Sequence, residues 1–332
     1  MSIFASLYVC NFKQIMVTNS PVAYLCKLCY TVNKFCVIMR EENYLFAKYQ
    51  NKYYFRRYQL MLILNGTKLL TERFPNNETK VKDFENAIID GQNILEFKYV
   101  NDEDLITLMF AKKRMDEFNV PCTLFIWYMP YSRMDRKIEG DLFTLQYVCN
   151  FINQLNFAKV VVMEPHSDKT MKMLERATAV YPVKDWLAEV QKDIGFSEND
   201  HIVFPDKGAA ARYADSDYAN ICIMEKKRNP ITGNIEDMQL KEGKVNPGSK
   251  CIIIDDLCSK GGTFAWAGSI LKSLGASEVY LVVSHCEETI FDGKLLLEDS
   301  PIKKVYTSTS IMAKKHPNIK FMDVNVSNYV KQ

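Results

Sequence analysis

The chain has 332 residues, of which 48% are hydrophobic and 25% charged, with a formal net charge of +2 at pH 7. That length holds about two domains of ordinary size, each with its own core. The composition excludes a disordered or fibrous chain, and so small a net charge leaves no electrostatic footprint for nucleic acid or for an acidic membrane surface.

The charge is unevenly spread. Residues 1–60 carry eight Lys/Arg against Glu41 and Glu42, lack Gly, Asp, His and Trp, and hold thirteen Phe/Tyr and four of the ten Cys. Lys13, Lys27, Lys34 and Arg40 interrupt the apolar stretches, so no run reaches the ~18 residues needed to span a bilayer. Cys26-Lys-Leu-Cys29 has the spacing of a metal-ligand pair, with Cys10 and Cys36 nearby. A zinc site takes a second tight pair, and none follows. Residues 1–60 therefore read as an atypical basic, aromatic extension that the working domain does not need, with the domain expected to start at Met61.

From Met61 the chain alternates short apolar strands with amphipathic helices. "LILNG" is a strand start, and "CTLFIWYM" (Cys122–Met129) is a strand-length apolar run. After a polar loop, Phe143, Tyr147, Val148, Phe151, Ile152 and Leu155 recur at helical spacing. "AKVVVMEP" is the next strand, ended by Pro165, and "DHIVFPD", "ANICIME", "KCIIIDD" and "SEVYLVVSH" follow. Behind the third of these, Phe264, Ala267, Ile270, Leu271 and Leu274 make one apolar helix face, with Gly275 as its C-terminal stop. Continuous apolar strands separated by helices predict an α/β fold with mainly parallel sheets covered by helices. "VVVMEPHSDKT" and "IIIDDLCSKGGT" echo one another as strand, acid and short Ser/Lys/Thr loop, which a duplicated half-fold explains, and chance similarity between two strand ends is the alternative. The remaining six cysteines (Cys122, Cys149, Cys222, Cys251, Cys258 and Cys286) lie in or beside apolar runs, as buried thiols of a reducing cytoplasm do.

In open α/β sheets, ligands sit at the carboxyl ends of the strands. After "CIIIDD", the loop Ser259, Lys260, Gly261, Gly262 and Thr263 offers backbone N–H groups, a hydroxyl and a helix N-terminus, all favourable to a monophosphate. It is not a Walker loop, because Lys260 precedes the glycines. Asp255 and Asp256 would repel a phosphate but suit the vicinal hydroxyls of a ribose. Together they describe a site for a ribose 5-phosphate-like ligand. An acidic strand end holding only Mg²⁺, as in receiver-type domains, is the alternative.

Over residues 61–325 the sequence resembles the ribose-phosphate pyrophosphokinase (phosphoribosyl-diphosphate synthetase) family. "DDLCSKGGT" matches the family's DD-x-x-DT-x-GT loop at both acids, Gly262 and Thr263. "FPNNETKV" (Phe74–Val81) is similar to its ATP-contacting stretch, which implies ATP-binding roles for Asn76 and Glu78. "YMPYSRMDRK" resembles PYARQDRK and carries over Arg133, Asp135 and Arg136, while "EPHSDKT" resembles the DLHS segment and makes His166 a candidate for ATP and Mg²⁺. "FPDKGAAARYA" is similar to SPDxGGxxRA, placing Asp206 (metal) and Gly208, and "MEKKRNPITGNIEDMQL" looks like the flexible catalytic loop, with Lys226 and Arg228 as its basic pair. Six matches in order are a strong signal where each alone is weak.

The resemblance implies two tandem phosphoribosyltransferase-like (Rossmann-like) domains, 61–183 and 184–312, the latter carrying the ribose-phosphate loop, and a segment 313–332 packing back on the first. It implies transfer of the diphosphoryl group of ATP to the 1-hydroxyl of ribose 5-phosphate, with Mg²⁺, for nucleotide or NAD synthesis. It also implies a cytoplasmic homo-oligomer built from dimers, up to a hexamer, whose ATP site borrows residues across subunits, with no nucleic acid or membrane partner.

Two departures from the family pattern matter. Ser259-Lys260 stands where the family has Asp-Thr, shifting the loop by two charge units and favouring a more anionic 5′ group, so ADP-ribose is a second expected acceptor. Met134 stands where the family usually places Gln beside the nucleotide. A base phosphoribosyltransferase would share the acid pair and loop but lack "PYSRMDR" and "FPNNET". A non-catalytic regulatory relative would lack the Lys226/Arg228 pair. His285 reads as a structural turn residue, and His201 and His316 carry no site argument.

Overall fold

Two sheets order the chain, and in each the strands with the longest apolar runs lie inside. The computed structural model describes residues 61–332 apart from 138–139, 215–217, 229–234 and 332. The Cys26–Cys29 pair and the rest of residues 1–60 lie outside the described residues.

The first sheet has the order β2-β1-β5-β6-β7-β8, with β1 Met61–Leu64, β2 Thr67–Lys68, β5 Asn93–Lys98, β6 Cys122–Ile126, β7 Lys159–Met163 and β8 Ala177–Val180. Strands β3 Thr71–Arg73 and β4 Thr79–Val81 form a separate hairpin. β5 to β8 run parallel, while β1 pairs antiparallel with both β2 and β5. Alternate residues of the buried strands face opposite layers. Leu124, Ile126, Val160 and Val162 pack on the helices α1 Glu103–Glu117 and α2 Thr144–Gln154. Phe125, Trp127, Val161 and Met163 pack on Val326 and Tyr329 of the last helix. A short helix, α3 Asp168–Met173, leads from β7 to β8.

In α2 the buried stripe differs from the expected one. It consists of Leu145, Val148, Cys149 and Ile152, an i, i+3, i+4, i+7 arc. Tyr147 falls outside that arc and is 57% exposed.

Helix α4 Pro182–Ile194 links the two sheets and packs Val183, Trp186, Leu187 and Val190 on the second. The second sheet has the order β11-β10-β9-β12-β13-β14-β15, with β9 His201–Phe204, β10 Ile221–Arg228, β11 Ile235–Glu242, β12 Lys250–Cys258, β13 Glu278–Cys286, β14 Lys304–Thr307 and β15 Ile319–Phe321. Helix α5 Lys207–Tyr213 follows β9, α6 Gly262–Ser273 follows β12, and α7 Val326–Lys331 ends the described chain. All neighbours in this sheet are parallel except β10 and β11.

Three features depart from the expected layout. The division at 183–184 falls within α4. Of residues 313–332, β15 extends the second sheet and α7 covers the first. The basic run Lys226–Arg228 lies on a strand of the antiparallel β10–β11 hairpin rather than in a loop. Among the described residues, no helix is long and apolar enough to cross a membrane.

Candidate active site

Strand β12 lies between β9 and β13, so its carboxyl end is flanked on both sides by other strand ends. Asp255 and Asp256 lie in the second half of this strand, not beyond it. Asp256 is 5% exposed. Its Oδ2 is 2.5 Å from Nδ1 of His166 and 3.5 Å from Nη1 of Arg212. His166 comes from the loop after β7 of the first sheet, so the carboxyl ends of β7 and β12 face one another. Arg212, on α5, also donates to the carbonyl of His166.

This setting separates two adjacent acids. Burial alone would raise the Asp256 carboxyl, but His166 and Arg212 prevail and hold it well below the usual range. Burial and the charge of Asp256, with Asp206 adding to them, push the Asp255 carboxyl up. The two neighbouring carboxyls are thus driven in opposite directions, Asp256 toward the ionised form and Asp255 toward the protonated one.

The Ser259–Thr263 loop runs from the end of β12 into α6. Gly261 caps the helix with φ +79°, and a Cβ there would stand 2.1 Å from Cδ1 of Leu295. Only glycine satisfies both conditions. Gly262 faces open space and Lys260 is exposed, whereas Ser259 Oγ lies 3.0 Å from Thr289 Oγ1.

Asp206 caps α5 by accepting from the Ala209 N–H at 2.9 Å, and its other oxygen is 2.5 Å from Lys226 Nζ. Burial works against the carboxylate, and Lys226 outweighs it, leaving Asp206 below its ordinary value. The side chain of Arg228 lies outside the described set.

The other expected residues are more dispersed. Arg133 donates to Glu287 at 2.7 Å. Asp135 accepts through its carbonyl from Lys169 at 2.7 Å, and Arg136 is exposed. Asn76 and Glu78 sit in the turn of the β3–β4 hairpin, where the Glu78 N–H donates to Asn76 Oδ1 and the Phe74 N–H to the Glu78 carbonyl. These bonds close within the hairpin and do not reach the acids of β12.

His166 and Asp206 do not share a metal-binding arrangement, being paired with Asp256 and Lys226 respectively. Among the described residues no group of three or more His, Cys, Asp or Glu side chains is placed to hold a metal. Mg²⁺ commonly takes one or two carboxylates together with substrate phosphates rather than an all-protein cage. Asp206 fits that use as a single oxygen donor. His166 meets Asp256 through Nδ1, and an imidazole nitrogen is a poorer donor than an oxygen for so hard a cation.

Behind the acids lies a network that sequence reasoning did not assign. Glu164, 2% exposed with φ 48°, accepts from Tyr213 Oη and from Ser284 Oγ, each at 2.8 Å. His285 lies within β13 rather than in a turn. Burial pushes it down to about 4, so the ring is neutral. Its Nε2–H donates to the Glu164 carbonyl at 3.2 Å, and Nδ1 accepts from Ser310 at 2.9 Å. The acid of "VVVMEP" and the Arg-Tyr of "ARYA" were the visible signals for this network, but neither names its partners.

Burial raises the Glu164 carboxyl from 4.5 to about 7 against the pull of Ser284 and Tyr213. A carboxyl raised on folding binds its proton more tightly in the native state, so stability falls as pH rises from its unfolded value through about 7. Glu164→Gln is expected to flatten that fall, worth up to about 3 kcal/mol. Denaturant midpoints between pH 5 and 8 check this, and an unchanged slope rejects it.

The comparisons agree with this architecture. No family model matches the chain. The chain is 26% identical over 264 residues to the ribose-phosphate pyrophosphokinase of Sulfolobus acidocaldarius, covering 77% of this chain and 88% of that protein. It is 27% identical over 248 residues to that of Sulfurisphaera tokodaii, covering 72% and 82%, and 27% identical over 275 residues to the putative ribose-phosphate pyrophosphokinase 2 of Streptococcus agalactiae, covering 77% and 80%. The crystal structure of phosphoribosylpyrophosphate synthetase from Mycobacterium smegmatis superposes with a TM-score of 0.61 at 18% identity over 76% of this chain and 85% of that one, which establishes the phosphoribosyltransferase-like fold. Over most of residues 61–332 the chain is thus similar to archaeal and bacterial ribose-phosphate pyrophosphokinases, and it shares the fold of phosphoribosylpyrophosphate synthetase.

Proposed function

We propose that the protein transfers the β,γ-diphosphoryl group of ATP to the anomeric 1-hydroxyl of ribose 5-phosphate, forming phosphoribosyl diphosphate and AMP. The observation that carries this reading is the meeting of Asp256, one of the two β12 acids, with His166 and Arg212 beside the glycine loop that opens α6. A vicinal diol donates hydrogen bonds that the oxygens of two neighbouring carboxyls can accept. The backbone N–H groups of Gly261, Gly262 and Thr263 take the 5′-phosphate.

In the reaction the 1-hydroxyl oxygen bonds to the β-phosphorus, the bond from that phosphorus to the bridging α,β-oxygen breaks, and AMP leaves with that oxygen while the hydroxyl proton is lost. Such a transfer needs positioning and charge neutralisation more than covalent chemistry. Arg133 holds the ATP phosphates, and Lys226 and Arg228 meet the charge that develops as the bond breaks. Mg²⁺, held through Asp206, supplies charge neutralisation on the phosphate chain. The exposed Asn76–Glu78 turn, with Leu70 and Phe74 of the same hairpin 56% and 49% exposed, suits contact with a second copy of the chain and its ATP. The six described cysteines are free and buried, which supports a cytoplasmic setting.

A second acceptor, ADP-ribose, is favoured by Lys260, which is exposed and forms no ion pair among the described residues. AMP release by the full chain, with ribose 5-phosphate and ADP-ribose side by side, tests both readings. Turnover with ribose 5-phosphate alone removes ADP-ribose, and no AMP with either sugar overturns the transfer itself.

A further inference from the structure

We propose that Glu287 is a positioning residue that ties Arg133 to the ribose-phosphate loop, so that ATP and the sugar phosphate bind cooperatively. The proposal rests on the site reading above and assigns a role to a residue outside every motif of the resemblance.

Glu287 follows β13 directly, and its N–H donates to the Cys258 carbonyl at 2.8 Å, which pins it to the end of β12. Its two carboxylate oxygens serve opposite directions. Oε1 accepts from Arg133 Nη2 at 2.7 Å, from a loop of the first sheet 154 positions away in the chain. Oε2 accepts from Thr289 Oγ1 at 3.1 Å, and Thr289 Oγ1 lies 3.0 Å from Ser259 Oγ.

The hydrogen positions follow from this order. An ionised carboxylate only accepts, so the Thr289 proton goes to Glu287 and the Ser259 proton must go to Thr289. Ser259 therefore braces the loop, and its backbone rather than its hydroxyl proton is left for a phosphate. At the other end a guanidinium has five N–H donors, so Arg133 can hold Glu287 along one edge and still present N–H groups to ATP. The Glu287 side chain is 23% exposed and that of Arg133 51%, an arrangement in which the anchor is sheltered and the arm reaches solvent.

One carboxylate thus orders a long, rotamer-rich arm on the ATP side and a loop on the sugar side. Whichever ligand binds first immobilises that carboxylate, and the second then meets groups whose ordering is already complete.

The test uses the full chain with Mg²⁺, measuring ribose 5-phosphate binding by calorimetry with and without a non-hydrolysable ATP analogue. In the wild type the analogue is expected to tighten ribose 5-phosphate by about fivefold or more, and reciprocally. Glu287→Ala is expected to weaken each ligand alone and bring the coupling factor close to one. Thr289→Val cuts only the loop-side link. It should leave affinity for the analogue by itself near the wild-type value while abolishing the coupling, a pattern that loss of structure would not produce, and it carries the test if Glu287→Ala does not fold. Full coupling in Thr289→Val, or independent binding in the wild type, overturns the inference alone. A wild type that binds neither ligand overturns the site reading beneath it.

Discussion

Lys226→Ala is expected to lower turnover by about 100-fold or more while the protein still folds. The residue lies on β10, opposite Met238 of β11, and its ammonium is 2.5 Å from the Asp206 carboxylate with only 18% of the side chain exposed. A cation held this way is preorganised. In the transfer proposed above it would need only to move from one anion to another as charge builds on the leaving phosphate, with little solvent to reorganise. Removing it also leaves the partly buried Asp206 without its main counter-charge, so the Asp206 carboxyl should rise toward its ordinary value. The pH profile of the residual activity should change with it. Single-turnover AMP formation, alongside a thermal melt, checks both points. A rate within tenfold of the wild type would take Lys226 out of the chemistry.

Asp256→Ala is expected to cost both stability and activity. Its carboxylate is the shared partner of His166, whose side chain is 40% exposed, and of Arg212, 19% exposed, so removing it costs less than the about 3–5 kcal/mol typical of a fully buried pair. Because the folded-state value is held below the unfolded one, this contribution is fully present above the ordinary carboxylate range and lost as pH falls through the lower folded value. The wild type should therefore lose stability on acidification in a way that Asp256→Asn does not. The sign is opposite to that of Glu164, at the end of β7, which lowers stability as pH rises. Urea titrations of the wild type, Asp256→Asn and Glu164→Gln from pH 3 to 8 would separate the two slopes. A variant as stable as the wild type at neutral pH would mean that the three-way contact contributes nothing.

Much of the fold was legible because strand and helix signals are local. The runs "CTLFI", "KVVVM" and "KCIIIDDLC" became fully or nearly fully buried inner strands, as uninterrupted apolar β-branched sequence requires when both sheet faces are covered. The antiparallel β10–β11 hairpin was harder to see. "MEKKRNPITGNIEDMQL" has the polarity of a loop, and only pairing with a neighbouring strand makes strands of such sequence. In α2 the aromatic Tyr147 and Phe151 obscured the stripe that in fact faces the sheet.

For the site, the sequence alone determined which chemical groups stand at the strand ends and in what order, because the acids, the glycines and the loop hydroxyls of residues 255–263 are contiguous and act within a few residues of one another. Which charges meet was decided only by the tertiary structure. His166 finds Asp256 across 90 positions and Arg133 finds Glu287 across 154. Such contacts arise when two separately formed sheets turn their carboxyl ends together, and since an ion pair depends on distance and on shelter from water, no local pattern encodes it.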